Sequence, residues 1–357
     1  MSKAKRPRLG GKLAFSAVML LLLAGLLASV VLAVGIGKVP ISFSKAYRII
    51  AHELFGAGDS SLGSGSEHDI IWQIRLPRTI LAVFVGTGLS VVGCVMQAIC
   101  KNPMADPYIL GVSSGATLGA TASILLGVSA AFGSNATGVC ACLGAFGANM
   151  LVQAISGIGG RANSTKLILA GIAVSAVAAA FSDTIVYFCQ DKQGIQSLTF
   201  WSMGSLAGAK WGTMGAAILI VTAGTAFFCT QYRTLNLMLL GDETAVTLGT
   251  DLYRWRTVYL VLTSAMIGMV VCEAGMIGFV GLLVPHVVRM IAGTDHRRLV
   301  PMSSLTGAIF LVWADVAARS VLKSGELPIG ILVSLIGAPF FLWLVFRKAY
   351  SFGGQDA

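Results

Sequence analysis

The side chains best placed for specific chemistry in this sequence are arginines at the ends of apolar segments. Arg75 and Arg78 bracket Pro77 before about twenty residues without a charge, the length of a transmembrane helix. Arg319 ends another apolar segment. A guanidinium pairs with a carboxylate through two parallel hydrogen bonds, so these arginines could receive acidic side chains of a docking protein. Anchoring at the membrane interface is the alternative explanation, because each arginine would cost about 2.5–3.5 kcal/mol at the bilayer centre.

The sequence does not indicate nucleotide or metal binding. The sequence lacks the phosphate-binding pattern G-x-x-x-x-G-K-[ST], so the chain cannot hydrolyse ATP by itself. None of the seven cysteines forms a C-x-x-C pair, and the four histidines are scattered. We therefore predict no catalytic residue, no metal site and no cofactor.

The elements that position the arginines are predicted to be membrane helices. Of the 357 residues, 56% are hydrophobic and only 11% are charged, whereas a soluble domain carries roughly 25% charged residues. The sequence predicts an all-α, polytopic integral membrane protein with one domain over residues 1–357 and about ten transmembrane helices. The predicted spans are at about 13–36, 72–97, 110–131, 137–158, 167–189, 212–229, 257–274, 275–291, 300–322 and 328–346.

The distribution of basic residues predicts the orientation of these spans. The net charge of +10 does not indicate nucleic-acid binding, because the basic residues lie mostly at the ends of apolar segments, next to membrane lipid. If both termini are cytoplasmic, 16 of the 25 lysines and arginines lie on the cytoplasmic side. This bias follows the positive-inside trend and places residues 38–71 outside, with a short helix between residues 40 and 55.

Prolines interrupt the predicted spans, and regularly spaced glycines allow them to pack closely. Pro103 and Pro107 forbid a continuous helix after the second span. Gly111, Gly115 and Gly119 follow at intervals of four residues, a spacing that lets two helix backbones approach closely in a bilayer.

The polar segment 231–256 is predicted to form two short helices around glycine turns. It carries apolar residues that a solvated loop would not need: Leu237, Met238, Leu240, Ala245, Val246 and Leu248. They could form a docking surface or pack onto the ends of the protein's own spans. Asn163, Ser164 and Thr165 precede the fifth span, where a hydroxyl side chain can cap the helix.

The stretch that begins at Arg75 also resembles a known family. The pattern R-L-P-R, then about twenty apolar residues as in a membrane span, then M-Q and N-P-M-A-D-P-x-x-L-G-x-x-S-G-A, is similar to the FecCD permeases of bacterial ABC importers. G-F-V-G-L-L-V-P-H-x-x-R, T-D-H-R and E-L-P-I-G extend the resemblance over nearly the whole chain. It implies an inverted repeat of spans 2–5 and 7–10, in the bacterial inner membrane. The implied cargo is an iron chelate of the siderophore type, with haem or cobalamin as alternatives.

The resemblance also implies partners and site residues. Arg75, Arg78 and Arg319 would receive glutamates of a substrate-binding protein or lipoprotein. The 231–256 loop would couple to two ABC ATPase subunits through Leu240, Gly241, Asp242, Glu243, Leu248 and Gly249. The cytoplasmic gate would contain Asn163, Ser164 and Thr165. A second permease copy or a paralogue would complete a dimer.

An ion-coupled secondary transporter is the rival class. Such a transporter would need buried carboxylates within its spans, and Asp183 and Asp315 are the main candidates.

Overall fold

The computed structural model describes residues 11–108, 110–128, 135–158, 164–322 and 325–348. These residues form helices joined by turns, and no β-strand occurs among them. In chain order the helices are α1 Gly11–Gly35, α2 Phe43–Phe55, α3 Ser66–Asp69, α4 Leu76–Ile99, α5 Val112–Leu125, α6 Ala136–Gly157, α7 Ser164–Phe188, α8 Lys192–Ser202, α9 Gly215–Thr230, α10 Tyr232–Leu240, α11 Asp242–Thr247, α12 Leu252–Ala274, α13 Val280–Ala292, α14 His296–Ser320 and α15 Ile329–Lys348. A π-helical turn, Ile70–Arg75, joins α3 to α4.

The helices confirm the predicted all-α, polytopic fold. Six segments in the described ranges are long and apolar enough to cross a bilayer: Leu13–Gly35, Ser66–Ile99, Ala136–Gly157, Ser164–Phe188, Leu252–Ala274 and His296–Ser320. The pair α9 and α10, bent by 65°, gives a seventh. The shorter apolar helices Val112–Leu125, Val280–Ala292 and Ile329–Trp343 bring the apolar segments of the described ranges to ten.

Side-chain caps explain why two helices begin earlier than predicted. The Asp251 carboxylate accepts a hydrogen bond of 3.0 Å from the Tyr253 N–H, so α12 begins at Leu252 rather than at residue 257. The Asp295 carboxylate accepts one of 3.0 Å from the Arg297 N–H, so α14 begins at His296 rather than at residue 300. A polar capping residue starts each helix within a segment that hydropathy alone assigns to a loop.

Helix α4 is the central element of the bundle. Most of its residues are buried, and it packs against α9, α12, α13 and α14. Beside it, α5 packs closely against α6, as the glycine spacing predicts. A Cβ atom on Gly115 would lie 2.4 Å from the Gly144 carbonyl oxygen, and one on Gly119 would lie 2.1 Å from that of Cys140. Only glycine permits this backbone approach.

Two non-helical breaks lie inside the bundle. The helices that follow them, α5 and α13, are only about 20 Å long at 1.5 Å per residue. Ala105 and Leu110 in the first break and Ile277 in the second are fully buried. The breaks meet where the Tyr108 hydroxyl accepts a hydrogen bond of 3.4 Å from the Ile277 N–H. The bilayer tolerates such backbone only where protein covers it or it lines a cavity.

The second break corrects the predicted eighth span, which was expected to begin at residue 275. The helix begins at Val280, because Gly275 and Phe279 both have a φ of 65°, outside the helical region. The third predicted span is likewise shorter at its start, where Gly111 has a φ of 79° and α5 begins at Val112. Each break follows a long helix, so α4–α7 and α12–α15 share one order of elements.

The candidate functional residues lie at opposite ends of the bundle. Arg78 is near the start of α4, and Lys101 follows its end, about 35 Å away at 1.5 Å per residue. We call the end that holds Arg75, Arg78 and Arg319 the arginine end. The opposite end, which holds α10 and α11, is called the loop end.

Candidate functional site

Three arginines and two carboxylates form one cluster at the arginine end. The Arg78 Nε donates to Asp315 Oδ1 at 2.7 Å, and its Nη1 donates to Glu326 Oε2, also at 2.7 Å. Arg319 lies one turn after Asp315 on α14, and its Nε is 3.5 Å from Asp315 Oδ2. Asp315 therefore bridges two guanidinium groups. Its side chain is 1% exposed, whereas that of Glu326 is 41% exposed.

Two of these arginines also hold the last turn of α1. Arg75 donates to the carbonyl oxygens of Val34 at 3.2 Å and Gly35 at 3.1 Å, and to that of Val39 at 2.6 Å. Arg319 Nη2 donates to the carbonyl oxygen of Ala33 at 2.6 Å. The last carbonyl groups of a helix have no partner within it and carry partial negative charge, so a guanidinium is a favourable cap.

This arrangement corrects one expectation for the arginines. A docking role predicts side chains at the surface, yet Arg75, Arg78 and Arg319 are each only 4–5% exposed in the single chain. Sequence reasoning missed Glu326 and considered Asp315 only as an ion-coupling residue. A usable signal was present, since a buried arginine in an apolar segment needs a carboxylate and Asp315 stands four residues before Arg319. The docking role itself stays a prediction.

At the loop end, the 231–256 segment forms the two predicted short helices, α10 and α11. Gly241, with a φ of 107°, separates them, and Gly249, with a φ of 77°, follows α11. Their apolar residues divide into two sets. Leu235, Met238 and Ala245 are fully buried and pack the loop onto the bundle. Leu240, Val246 and Leu248 are 62%, 59% and 62% exposed. Self-packing thus accounts for one set and leaves the other without an intramolecular role in the described part of the chain.

Asp242 holds this exposed set in place. Its carboxylate lies 2.9 Å from Arg256 Nη2 on α12 and 3.4 Å from Lys101 Nζ, just after α4. Partial burial disfavours the charged carboxylate, but the two cations outweigh it and hold the pKa of Asp242 below its ordinary value. Asp242 is therefore ionised at neutral pH and joins α11 to two central helices. Glu243, the next residue, is exposed.

A second set of contacts joins α10 to α14. Asn236 donates through Nδ2 to Asp295 Oδ1 at 2.8 Å, and its Oδ1 accepts from the His296 N–H at 2.9 Å. The coupling residues inferred from the family resemblance thus lie together on an element that is fixed to the bundle at both of its short helices.

The predicted gate is described only in part. Ser164 is the first residue of α7, and its hydroxyl donates to the Ile99 carbonyl oxygen at the end of α4 at 2.8 Å. Thr165 is exposed, and Asn163 lies outside the described residues. Ser164 therefore joins the start of α7 to the end of α4 at the loop end.

A cavity of about 620 Å³ lies beside the meeting point of the two breaks. Uncharged groups line it, among them Tyr108, Ser113, Met203, Met276, Ile331 and Ser334. The Ser113 hydroxyl donates to the Met276 sulfur at 3.0 Å, which joins the first turn of α5 to the second break. Leu335 also lines the cavity and is 66% exposed, so the cavity opens to the surface of the chain along α15.

Neither carboxylate suggested for ion coupling forms a buried ion site. Asp315 is engaged by Arg78 and Arg319, and Asp183 is exposed on α7. In the described ranges, no three histidine, cysteine, aspartate or glutamate side chains lie close enough to hold a metal ion.

Comparison with known proteins identifies the fold and the family. The FecCD transport family profile matches residues 23–347. Vitamin B12 import system permease proteins BtuC of Salmonella paratyphi A and Salmonella typhimurium are 39% identical over 279 residues, which cover 78% of this chain and 84% of the relative.

Two solved structures are similar as well. A transporter described as of the metal-chelate ABC type, in an inward-facing conformation, superimposes with a TM-score of 0.80 and 30% identity, over 93% of this chain and 99% of that one. PsaBC from Streptococcus pneumoniae, in complex with Fab, has a TM-score of 0.53 and 16% identity over 84% of this chain and 95% of that chain, and shares the fold. The chain belongs to the FecCD transport family and is a multi-pass permease subunit of an ABC importer, in which a separate subunit hydrolyses ATP.

Proposed function

We propose that this permease forms the translocation pathway for a large metal chelate. The cavity between the two broken helices carries this proposal. Broken spans that face each other mark substrate sites in membrane transporters, because their irregular backbone lines the pathway. The walls are uncharged, which suits a passage that a cargo must enter and also leave. Because the cavity opens along α15, we infer that a second permease copy or a paralogue closes it.

Two chelates are the specific candidates. Cobalamin is favoured by the relatives named as vitamin B12 permeases, which are 39% identical to this chain. An iron chelate of the siderophore type, with haem as a variant, is favoured by the 30% identical transporter of the metal-chelate type.

Uptake into vesicles that contain the complete importer tests the cargo. We expect one of radiolabelled cyanocobalamin, a ferric siderophore or haem to accumulate when ATP is supplied, with no effect of proton or sodium uncouplers. Vesicles with a non-hydrolysable ATP analogue serve as the control. Uptake that persists without ATP and stops with an uncoupler would instead indicate ion-coupled transport.

We infer from the charge distribution that both termini are cytoplasmic in the bacterial inner membrane. The arginine end then faces outward, toward a substrate-binding protein or lipoprotein, and the loop end faces the cytoplasm. Arg75, Arg78 and Arg319 are the proposed docking residues, against the positive-inside trend of the remaining charges. The proposed gate, Asn163 with Ser164 and Thr165, lies on the cytoplasmic side.

We propose that the exposed apolar set of the 231–256 loop docks an ABC ATPase subunit, of which the importer has two. Three apolar side chains that are each about 60% exposed, on an element fixed to α4, α12 and α14, suit the transfer of movement between subunits. Asp242 and its glycine neighbour keep the set oriented, and Glu243, Leu248 and Gly249 complete the proposed surface.

Charged residues in this apolar set are expected to release the ATPase. In the variant Leu240→Asp with Leu248→Asp, two carboxylates would have to be desolvated at the interface, so co-purification of the ATPase should fall at least about tenfold. The control is Thr247→Asp, a single added charge at an exposed polar position of the same loop. Undiminished co-purification of the double variant, or an equal loss in the control, would leave no docking role for these leucines.

A further inference from the structure

We propose that Glu326 occupies, in the undocked permease, the place on Arg78 that a carboxylate of the docked binding protein takes. Docking then exchanges one carboxylate for another. This inference rests on the proposed docking at the arginine end and explains how the buried Arg78 becomes accessible to the partner.

The two carboxylates of the cluster differ in a way that separates their roles. Asp315 lies within α14, is 1% exposed, and contacts both Arg78 and Arg319. Glu326 lies outside the helices, is 41% exposed, and contacts Arg78 Nη1 at 2.7 Å. Asp315 is therefore the fixed partner that positions the guanidinium, and Glu326 is the partner that solvent and an approaching protein can reach.

An incoming carboxylate would have to break fewer existing contacts at Arg78 than at Arg75 or Arg319. Arg75 and Arg319 donate to the carbonyl groups of α1, and losing those bonds would leave buried helix-end oxygens without partners. On Arg78, only the contact with a half-exposed side chain has to break. The five charged side chains carry one net positive charge, so the site attracts an anion.

The positions of the charges favour replacement of Glu326 by the partner's carboxylate over addition of a further carboxylate to Arg78. The Arg78 Nε is held by Asp315, and its Nη1 is held by Glu326. A further carboxylate on this guanidinium would lie beside Glu326, and two carboxylates that share a site repel each other. An arriving glutamate or aspartate therefore binds well only when Glu326 leaves.

The segment that Glu326 belongs to leads directly into the wall of the cavity. The Leu327 N–H donates to the Ala318 carbonyl oxygen, and the Gly330 N–H donates to that of Met203, each at 3.1 Å. Gly330 and Met203 both line the cavity. Release of Glu326 therefore loosens one attachment of the segment from which α15 starts, and connects docking with the pathway.

The test compares the affinity of the importer for its substrate-binding protein in three permeases. Fluorescently labelled binding protein is titrated against nanodiscs that contain the wild-type importer, a Glu326→Gln variant or a Glu67→Gln variant. Glutamine has the size of glutamate but competes weakly for Arg78, so the dissociation constant should fall about two- to fivefold, the range for ion pairs that solvent screens. Glu67 is the matched control, since it is 38% exposed, pairs with Lys45 and carries the same charge. Its variant should bind as the wild type does.

An unchanged or weakened affinity of Glu326→Gln, with a thermal unfolding temperature equal to that of the wild type, would overturn the exchange. Equal tightening in Glu67→Gln would also overturn it, because a general charge effect would then suffice. The salt dependence of the wild type separates this failure from failure of the docking proposal. Wild-type binding that is indifferent to ionic strength would show that the arginine end does not receive an acidic partner at all.

Discussion

The variant Asp315→Ala is expected to destabilise the permease strongly. Asp315 bridges Arg78 and Arg319 at the arginine end and is 1% exposed. Without it, two guanidinium groups remain buried with only Glu326 and backbone carbonyl groups as partners. Removing one member of a buried ion pair costs about 3–5 kcal/mol, because the remaining charge stays desolvated. The measurement is the thermal unfolding temperature of purified protein in detergent, together with the amount inserted in the membrane.

Asp183→Ala is the matched control for this prediction. Asp183 is also an aspartate within a predicted membrane span, but it is exposed on α7. Its replacement should shift the unfolding temperature little. A normal unfolding temperature for Asp315→Ala, or equal losses in both variants, would contradict the structural role that we assign to the cluster.

The second large effect is expected from a single methyl group on α4. A Cβ atom at Gly93 would lie 1.9 Å from the carbonyl oxygen of Gly281 on α13, so the two backbones must separate. Overpacking costs about 1–3 kcal/mol even where side chains can yield, and here the obstructing atom belongs to the backbone. We therefore expect Gly93→Ala to lower the unfolding temperature and the yield of folded protein sharply.

Gly147→Ala is the control for this prediction, because the same substitution is expected to have the opposite or no effect on stability there. Gly147 lies within α6, and a Cβ atom there meets no atom within 4 Å in the single chain. Alanine favours a helix over glycine by about 1 kcal/mol, so Gly147→Ala should leave stability equal or slightly higher. Gly93→Ala should unfold at a lower temperature despite the same gain in propensity. Similar unfolding temperatures for the two variants would be evidence against close contact between α4 and α13.

The sequence was sufficient to predict the helices and several of their interruptions. Apolar length predicted the spans, Pro103 and Pro107 predicted the end of the second, and glycines predicted the division between α10 and α11. The depth of the breaks could not be predicted in this way. Ala105, Leu110 and Ile277 are apolar residues that are buried without being helical. Hydropathy measures the tendency of a residue to leave water. An apolar residue is removed from water equally well in a helix and in a non-helical break that protein covers, so hydropathy does not distinguish the two.

For the arginine cluster, the sequence predicted that the arginines lie at the ends of spans but not which carboxylates they contact. Arg78 is 237 residues from Asp315 and 248 residues from Glu326, so their pairing depends on how α4 and α14 pack. The loop shows the same limit on a smaller scale. Met238 and Leu240 are two residues apart and equally apolar, yet one is buried and the other exposed, because only the docking angle of α10 decides which face meets the bundle.

The capping of α1 has a consequence for biosynthesis. The Ala33 carbonyl group precedes its partner, Arg319, by 286 residues. At about 5–20 residues per second, the ribosome needs roughly 15–60 s to add that stretch. During this interval, the Val34 and Gly35 carbonyl groups of α1 can already be capped by Arg75, which is made much earlier than Arg319. Its final attachment to the bundle must therefore wait for α14, so a helix made early in synthesis is among the last to reach its native place.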